Sequence, residues 1–275
     1  MTSRPSFDRK YIFAELDKLS SKITAPIRVF IIGGLALINY GLKEATKDID
    51  VVVLNEKDLE VLIRSLEIIG YHALEDSFVS KSYKKMEISK IMENDDGFRC
   101  DIFLRSICNR LFFSEDMESR ATQFYSRNKL KLNIASKEDI FLFKGITERE
   151  ADLFDMRLLA ESSLEWQIIE NECISQSDKT GVLWEGALLQ NLVDLREKYR
   201  ITSPIEKSLR RISEDKLGED LIVDSISNGL KTIRSIALAK DLPYYVVREY
   251  ARKMEEKGII TFDKTHRPYK LLINR

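Results

Sequence analysis

Residues 28–54 read RVFIIGGLALINYGLKEATKDIDVVVL, and the fold follows from how this stretch divides. Arg28–Ile32 is a short β-branched run with the pattern of a buried strand, and Gly33-Gly34 breaks it. Leu35, Leu37, Ile38 and Leu42 then recur at close to helical spacing, which predicts a short packed helix ending near Gly41 and Lys43. Lys47–Leu54 returns to strand character and is entered through Asp48 and Asp50. The order is strand, Gly-Gly, helix, acidic strand. Side chains alternate along a strand, so carboxylates at i and i+2 share a face and can hold a divalent cation between them. Glycines at a helix start let the backbone approach a phosphate, and the free N–H groups and helix dipole favour an anion there. The stretch reads as a metal-dependent phosphoryl-transfer site.

A third acid lies about fifty residues on. Met86–Met92 and Phe98–Arg105 are strand-like runs joined by Glu93-Asn94-Asp95-Asp96-Gly97, which has hairpin-turn composition. In the second run Arg99, Asp101, Phe103 and Arg105 alternate with Phe98, Cys100, Ile102 and Leu104, so Asp101 can face Asp48 and Asp50 from a neighbouring strand. Three carboxylates around one or two Mg²⁺ (or Mn²⁺) ions would neutralise a triphosphate and stabilise the charge growing on leaving pyrophosphate. Taken singly, Gly-Gly is usually a turn and Asp-x-Asp a solvated strand end; their joint order on the right elements favours the site. The alternative for Asp101 is a surface charge ladder with Arg99 and Arg105.

Gly33-Gly34, Asp48-x-Asp50 and Asp101 together resemble the signature of the DNA polymerase β-like nucleotidyltransferase superfamily. More narrowly, Ser136–Lys144 followed by Arg149–Asp155 resembles small nucleotidyltransferases related to abortive-infection and toxin–antitoxin proteins. The resemblance implies that Gly33 and Gly34 hold NTP phosphates, that Asp48 and Asp50 bind metal, that Asp101 is third acid and candidate general base, and that Lys144 approaches the nucleotide. It also implies an acceptor that is tRNA or protein and an antitoxin partner. Relatives pair a Ser with the second Gly; here Gly34 stands there, so backbone N–H groups must replace one hydroxyl contact. From the residues alone Lys144 is equally well a solvated lysine beside the core-like Ile140, Phe141, Phe143 and Ile146, and Asp152 and Asp155 read as salt-bridge partners.

The 275 residues are 44% hydrophobic, enough for one substantial core and one or two smaller ones. With 44 Lys+Arg against 45 Asp+Glu, no whole-chain field commits the protein to nucleic acid. There is no eighteen-residue apolar run and no secretory leader, so a cytoplasmic protein with no membrane partner is expected. Cys100, Cys108 and Cys173 lack C-x-x-C spacing, and only His72 and His266 are present, which excludes disulfide frameworks, zinc sites and His-based triads.

After the acidic strands the pattern turns helical. Ser136 and Thr147 resemble helix N-termini, and Gly186–Tyr199 places Leu188, Leu189, Leu192 and Leu195 on one face. Ile201–Pro204 reads as a linker. Beyond it, helices are expected at Asp220–Ile226, Lys231–Ala239 and from Pro243 to Glu256, followed by two strands about a Thr265-His266 tip. Three helices and a basic hairpin resemble a winged helix-turn-helix. From Asn228 onward eleven Lys/Arg stand against five Asp/Glu, a net of +6 that leaves −7 for the rest. On the third helix Val246, Val247, Tyr250 and Met254 should pack inward, leaving Arg248, Arg252 and Lys253, with Lys264 and Arg267 of the wing, to meet RNA or DNA phosphates. A docking or homodimerisation module is the alternative.

The expectation is therefore an α/β (α+β) protein: a mixed-sheet nucleotidyltransferase domain over 1–135, a helical region over 136–202 packed on it, and a winged helix over 203–275. Its rival is a DNA-binding regulator whose nucleotidyltransferase-like domain is silent. A small-molecule nucleotidyltransferase is disfavoured by the basic tail.

Overall fold

The computed structural model describes residues 4–74, 88–107, 111–147, 149–265 and 267–274. The start of the expected Met86–Met92 strand, Cys108 and His266 lie outside them. The chain divides into two compact units, Met1–Pro204 and Ile205–Arg275.

The first unit is built on a seven-stranded mixed sheet. β1 (Phe7–Asp8) leads into helix α1 (Arg9–Ser20), which Asp8 caps by accepting from the Tyr11 N–H at 2.8 Å. β2 (Ile27–Ile31), helix α2 (Gly34–Asn39), β3 (Ala45–Thr46) and β4 (Asp48–Val53) realise the order read in residues 28–54. Helix α3 (Glu56–Ile68) follows, capped by Asn55, and then come β5 (His72–Ala73), β6 (Lys90–Glu93) and β7 (Arg99–Leu104). β8 (Ser106–Ile107) and β9 (Leu111–Phe112) form a separate pair, helix α4 (Glu115–Arg120) follows, and β10 (Thr122–Arg127) and β11 (Leu130–Ile134) complete the set. The sheet order is β10-β11-β2-β4-β7-β6-β5. β4 lies at its centre, antiparallel to β2 and parallel to β7.

Central position explains the composition of β2 and β4. Phe30, Ile31, Val52 and Val53 are fully buried, as a strand covered on both faces requires. The helical layer consists of α5 (Lys137–Gly145), α6 (Glu150–Ala160), α7 (Trp166–Thr180) and α8 (Trp184–Tyr199). It belongs to the same compact unit as the sheet, joined through aromatic contacts that run from Phe30 to Phe113 at 4.7 Å and on to Phe143 at 6.3 Å. Ser136 caps α5 as its sequence implies, accepting from the Asp139 N–H at 3.1 Å. Thr147 does not cap α6. That helix begins after Arg149, and the Thr147 hydroxyl donates to Asp152 at 2.7 Å, because the buried carboxylate is the stronger acceptor.

The second unit comprises α9 (Glu206–Ser227), α10 (Ile233–Ala239), α11 (Tyr244–Glu256) and the antiparallel pair β12 (Ile260–Asp263) and β13 (Lys270–Ile273). Its core is Ile222, Ile226, Ile236, Ala237, Val247, Ala251, Met254, Ile260 and Leu271. The first helix starts fourteen residues before the expected Asp220, since its charged N-terminal turns hide an apolar stripe too sparse to read. On α11, Ala251 takes the buried place expected of Tyr250, whose ring is half-buried against Gly218; Val246 is half-buried too.

Candidate active site

β4 and β7 run in parallel with Asp50 opposite Asp101, which puts the two carboxylates on one face of adjacent strands. Asp48 stands two residues before Asp50, on the same face. The β2–α2 turn lies against them. A Cβ at Gly33 would collide with the Asp50 carboxylate, so only glycine permits this approach. At Gly34 a Cβ would collide with the Thr46 hydroxyl. That explains why this chain has no Ser at the second position: Thr46 fills the space, donating to the Asp48 carbonyl at 3.1 Å.

The electrostatics are uneven. Asp101 is 0% exposed, and neither of its carboxylate oxygens has a hydrogen-bond partner among the described residues. Burial, then the charges of Asp50 and Asp48, raise its pKa well above the carboxylate range. Asp50 is part-exposed at the cleft yet closely surrounded by protein; burial and the Asp48 charge raise its pKa to about 7. The alternative charge ladder is not formed: Arg99 pairs with Glu93, and Arg105 donates to the Leu54 carbonyl at 3.2 Å. Asp48 is engaged by Arg4, 2.8 Å from guanidinium nitrogen to Oδ2. Among the described residues no three His, Cys, Asp or Glu side chains stand as a ready metal cage.

Asp48, Asp50, Gly33, Gly34 and Lys144 all line one open cleft of about 430 Å³; Asp101 does not reach its wall. Lys43, Lys144 and Arg149 line the same cleft together with Asp152 and Asp155. Lys144 is not solvated: its ammonium lies 2.6 Å from Asp152 and 3.2 Å from Asp155. Burial opposes its charge, but Asp152, Asp155 and Asp50 outweigh burial and raise its pKa. Burial likewise works against ionised Asp152, and Lys144 and Arg149 overcome it to hold the carboxyl below its ordinary range. Lys43 pairs with Asp155 in the same cleft.

Arg4, Lys43, Lys47 and Arg149 line the cleft without having been singled out from the sequence. Lys43 and Lys47 flank the Asp48–Asp50 pair closely enough that local charge would have shown them. Arg4 left no signal, because only folding brings it across forty-four residues.

In the second unit the five expected phosphate-binding cations separate. Arg248, Lys264 and Arg267 are exposed, with Arg267 5.8 Å from the Tyr269 ring centre. Arg252 is instead paired with Glu249 at 3.0 Å and Glu256 at 3.5 Å, and Lys253 lies half-buried, 2.7 Å from Asp215 of α9. Arg252 stays exposed although acids one helical turn away pair with it, whereas Lys253 is drawn against the adjoining helix, where Asp215 matches its charge.

A family model described as "Nucleotidyltransferase of unknown function (DUF6036)" matches residues 10–199. The chain belongs to this family. It is accordingly a nucleotidyltransferase, and the match spans the sheet, the aspartates and the helical layer. Among solved structures, a "putative nucleotidyltransferase from H. pylori" is 14% identical over 91% of this chain and 99% of that one, with a TM-score of 0.33. Comparison with curated proteins returns no match. No helix among the described residues of this nucleotidyltransferase is long and apolar enough to cross a membrane.

Proposed function

We propose that the protein transfers a nucleoside monophosphate from an NTP to a macromolecular acceptor, using Mg²⁺ or Mn²⁺ held by Asp48, Asp50 and Asp101. The observation that carries this reading is the pairing of Asp50 with Asp101 in register on adjacent strands, with both Asp101 oxygens buried and unpartnered among the described residues. Unpaired buried carboxylates repel and are costly, and a divalent cation relieves both effects. The donors are all hard oxygens, which suits these metals. When bound, the metal supplies charge neutralisation at the phosphates and at the leaving pyrophosphate.

The remaining work falls to the chain itself. Gly33 brings backbone against Asp50, so the triphosphate can lie along the turn rather than above a side chain. Lys144 and Lys43 line the same cleft, each held in place by Asp152 or Asp155, so that a phosphate entering there meets ammonium groups already positioned by their partners. Asp101 lies off the cleft wall, which favours a ligand role over the proton-accepting role that resemblance gives it.

The second unit, three helices and a two-stranded sheet, is read as a winged helix-turn-helix that presents Arg248, Lys264 and Arg267 to acceptor phosphates. A tRNA acceptor suits that surface; a protein acceptor and an antitoxin partner remain the resemblance's other implications. The test is calorimetric titration with each NTP, with and without Mg²⁺, on wild type and Asp50→Asn. Metal-dependent binding lost in the variant, together with labelled NMP incorporation, supports the transferase. Absence of NTP binding to the wild type turns the reading to the DNA-binding regulator.

A further inference from the structure

The residue that meets Asp48 across the cleft comes from outside the family match, which begins at residue 10. Arg4 sits on a segment that is tied down twice. Phe7 and Asp8 pair antiparallel with Thr46 and Ala45, immediately before Asp48. Phe7 also packs on Tyr11 at 4.5 Å and Phe98 at 4.8 Å, and Pro5 lies beside Gly97. The chain from Phe7 back to Arg4 therefore spans at most about 10 Å. That tether keeps a guanidinium released from Asp48 near the cleft that Arg4 lines.

We infer that Arg4 is an exchangeable counter-ion of the aspartate site: it holds Asp48 while no metal is present and passes to the nucleotide's phosphates when a divalent cation takes Asp48. The inference rests on the transferase reading above and deepens it. Three facts support the exchange. Arg4 lies at a part-exposed carboxylate that lines the cleft, where an entering cation can reach it. Arg4 lines the same cleft as Gly33 and Gly34, so it already stands near the turn proposed to take the phosphates. A guanidinium matches phosphate as well as carboxylate, in the same planar two-toothed geometry, so one side chain serves both partners.

The exchange makes opposite demands on two affinities, which a purely structural arginine would not. Arg4→Ala should bind Mn²⁺ alone more tightly, by about tenfold, because the metal no longer displaces a charge-assisted hydrogen bond. The same variant should bind tripolyphosphate in saturating Mg²⁺ more weakly, again by about tenfold, having lost a phosphate contact. Mn²⁺ binding is read by loss of the free-ion electron paramagnetic resonance signal, and tripolyphosphate binding by calorimetry; neither requires a known acceptor or base. Unchanged or weaker Mn²⁺ binding, or unchanged tripolyphosphate affinity, overturns the exchange. If the variant and the wild type bind both probes equally, Arg4 loses its role and the metal site stands. If neither protein binds Mn²⁺, the transferase reading falls and the exchange falls with it.

Discussion

Asp101 and Asp139 are both buried carboxylates of the first unit, 0% and 1% exposed, yet the protein treats them in opposite ways. In the helical layer Arg120 reaches Asp139 at 2.7 Å and Glu172 at 2.6 Å, and the Ser136 hydroxyl donates to Asp139 at 2.7 Å. Lys144 and Arg149 do the same for Asp152. At the sheet Asp101 has no hydrogen-bond partner among the described residues, and its register neighbour is another acid. Burying an unpaired charge costs several kcal/mol, so folds normally match or replace it. Acids of the first kind hold the helices together. Acids of the second kind lower stability, a cost that the proposed metal would offset.

The contrast makes two substitutions move stability in opposite directions. Arg120→Met leaves Asp139 and Glu172 buried without their cation, and should cost about 3–5 kcal/mol in denaturant unfolding. A change below about 1 kcal/mol would mean that the helical acids are no better paired than the sheet's. Asp50→Asn removes a repelling charge at the sheet, so the metal-free variant should melt at or above the wild-type temperature at pH 8. Labelled NMP incorporation should meanwhile fall by about 10²–10³-fold or more, the effect of deleting one group from a pre-organised electrostatic site. A variant that is both destabilised and active would place Asp50 with the structural acids.

Much of this site was legible because its signal is local. Gly33-Gly34 and Asp48–Asp50 lie within eighteen residues, and the periods of strand and helix fix which side chains share a face. Asp101 was reachable through alternation within its own strand, although its pairing with Asp50 needs a parallel register that sequence periodicity does not specify. The pairing of charges was not legible. Lys144 looked as solvated as Arg252 looked free, yet one is neutralised eight residues away by Asp152 and the other by Glu249 and Glu256 on its own helix. Thr46, which accounts for glycine at position 34, acts through a steric contact between a turn and a strand end that no spacing rule encodes. The second unit's strands and last two helices followed their turn signals, whereas the long first helix did not, its mixed charges masking Leu209, Ile222 and Ile226.

A pH series tests the buried acids without substitution, Asp139 included, since burial raises its pKa too despite Arg120. Asp50 titrates near pH 7 in the folded metal-free protein and near 3.8 when unfolded, and Asp101 is displaced in the same direction. Between these values the folded state holds protons that the unfolded state has lost. Stability of the metal-free protein should therefore fall as pH rises from about 4 to about 7, with a slope of up to about 1.4 kcal/mol per pH unit for each such group. If the proposed metal binds the ionised carboxylates, Mg²⁺ should raise the melting temperature more at pH 8 than at pH 5.5. A melting temperature that rises with pH across this window, or a metal shift larger at pH 5.5, would mean the sheet acids are already compensated.

The same distinction between matched and unmatched charge applies to cations in the second unit, with smaller consequences. Arg252 lies between Glu249 and Glu256, so a phosphate approaching it must compete with two carboxylates already in place. Arg248 is exposed one helical turn earlier on the same helix. If this unit meets nucleic acid, Arg248→Ala should weaken binding of a tRNA or duplex and reduce the slope of log K against log salt by about 1, the value of one phosphate contact. Arg252→Ala should leave that slope unchanged, because releasing Arg252 to a phosphate would strand Glu249 and Glu256. Equal loss from both substitutions would show that nucleic acid pulls Arg252 out of its pairs, making surface pairing a poor guide to availability. No salt dependence in the wild type would make the unit a protein-docking module, and the acceptor would then have to be sought among proteins.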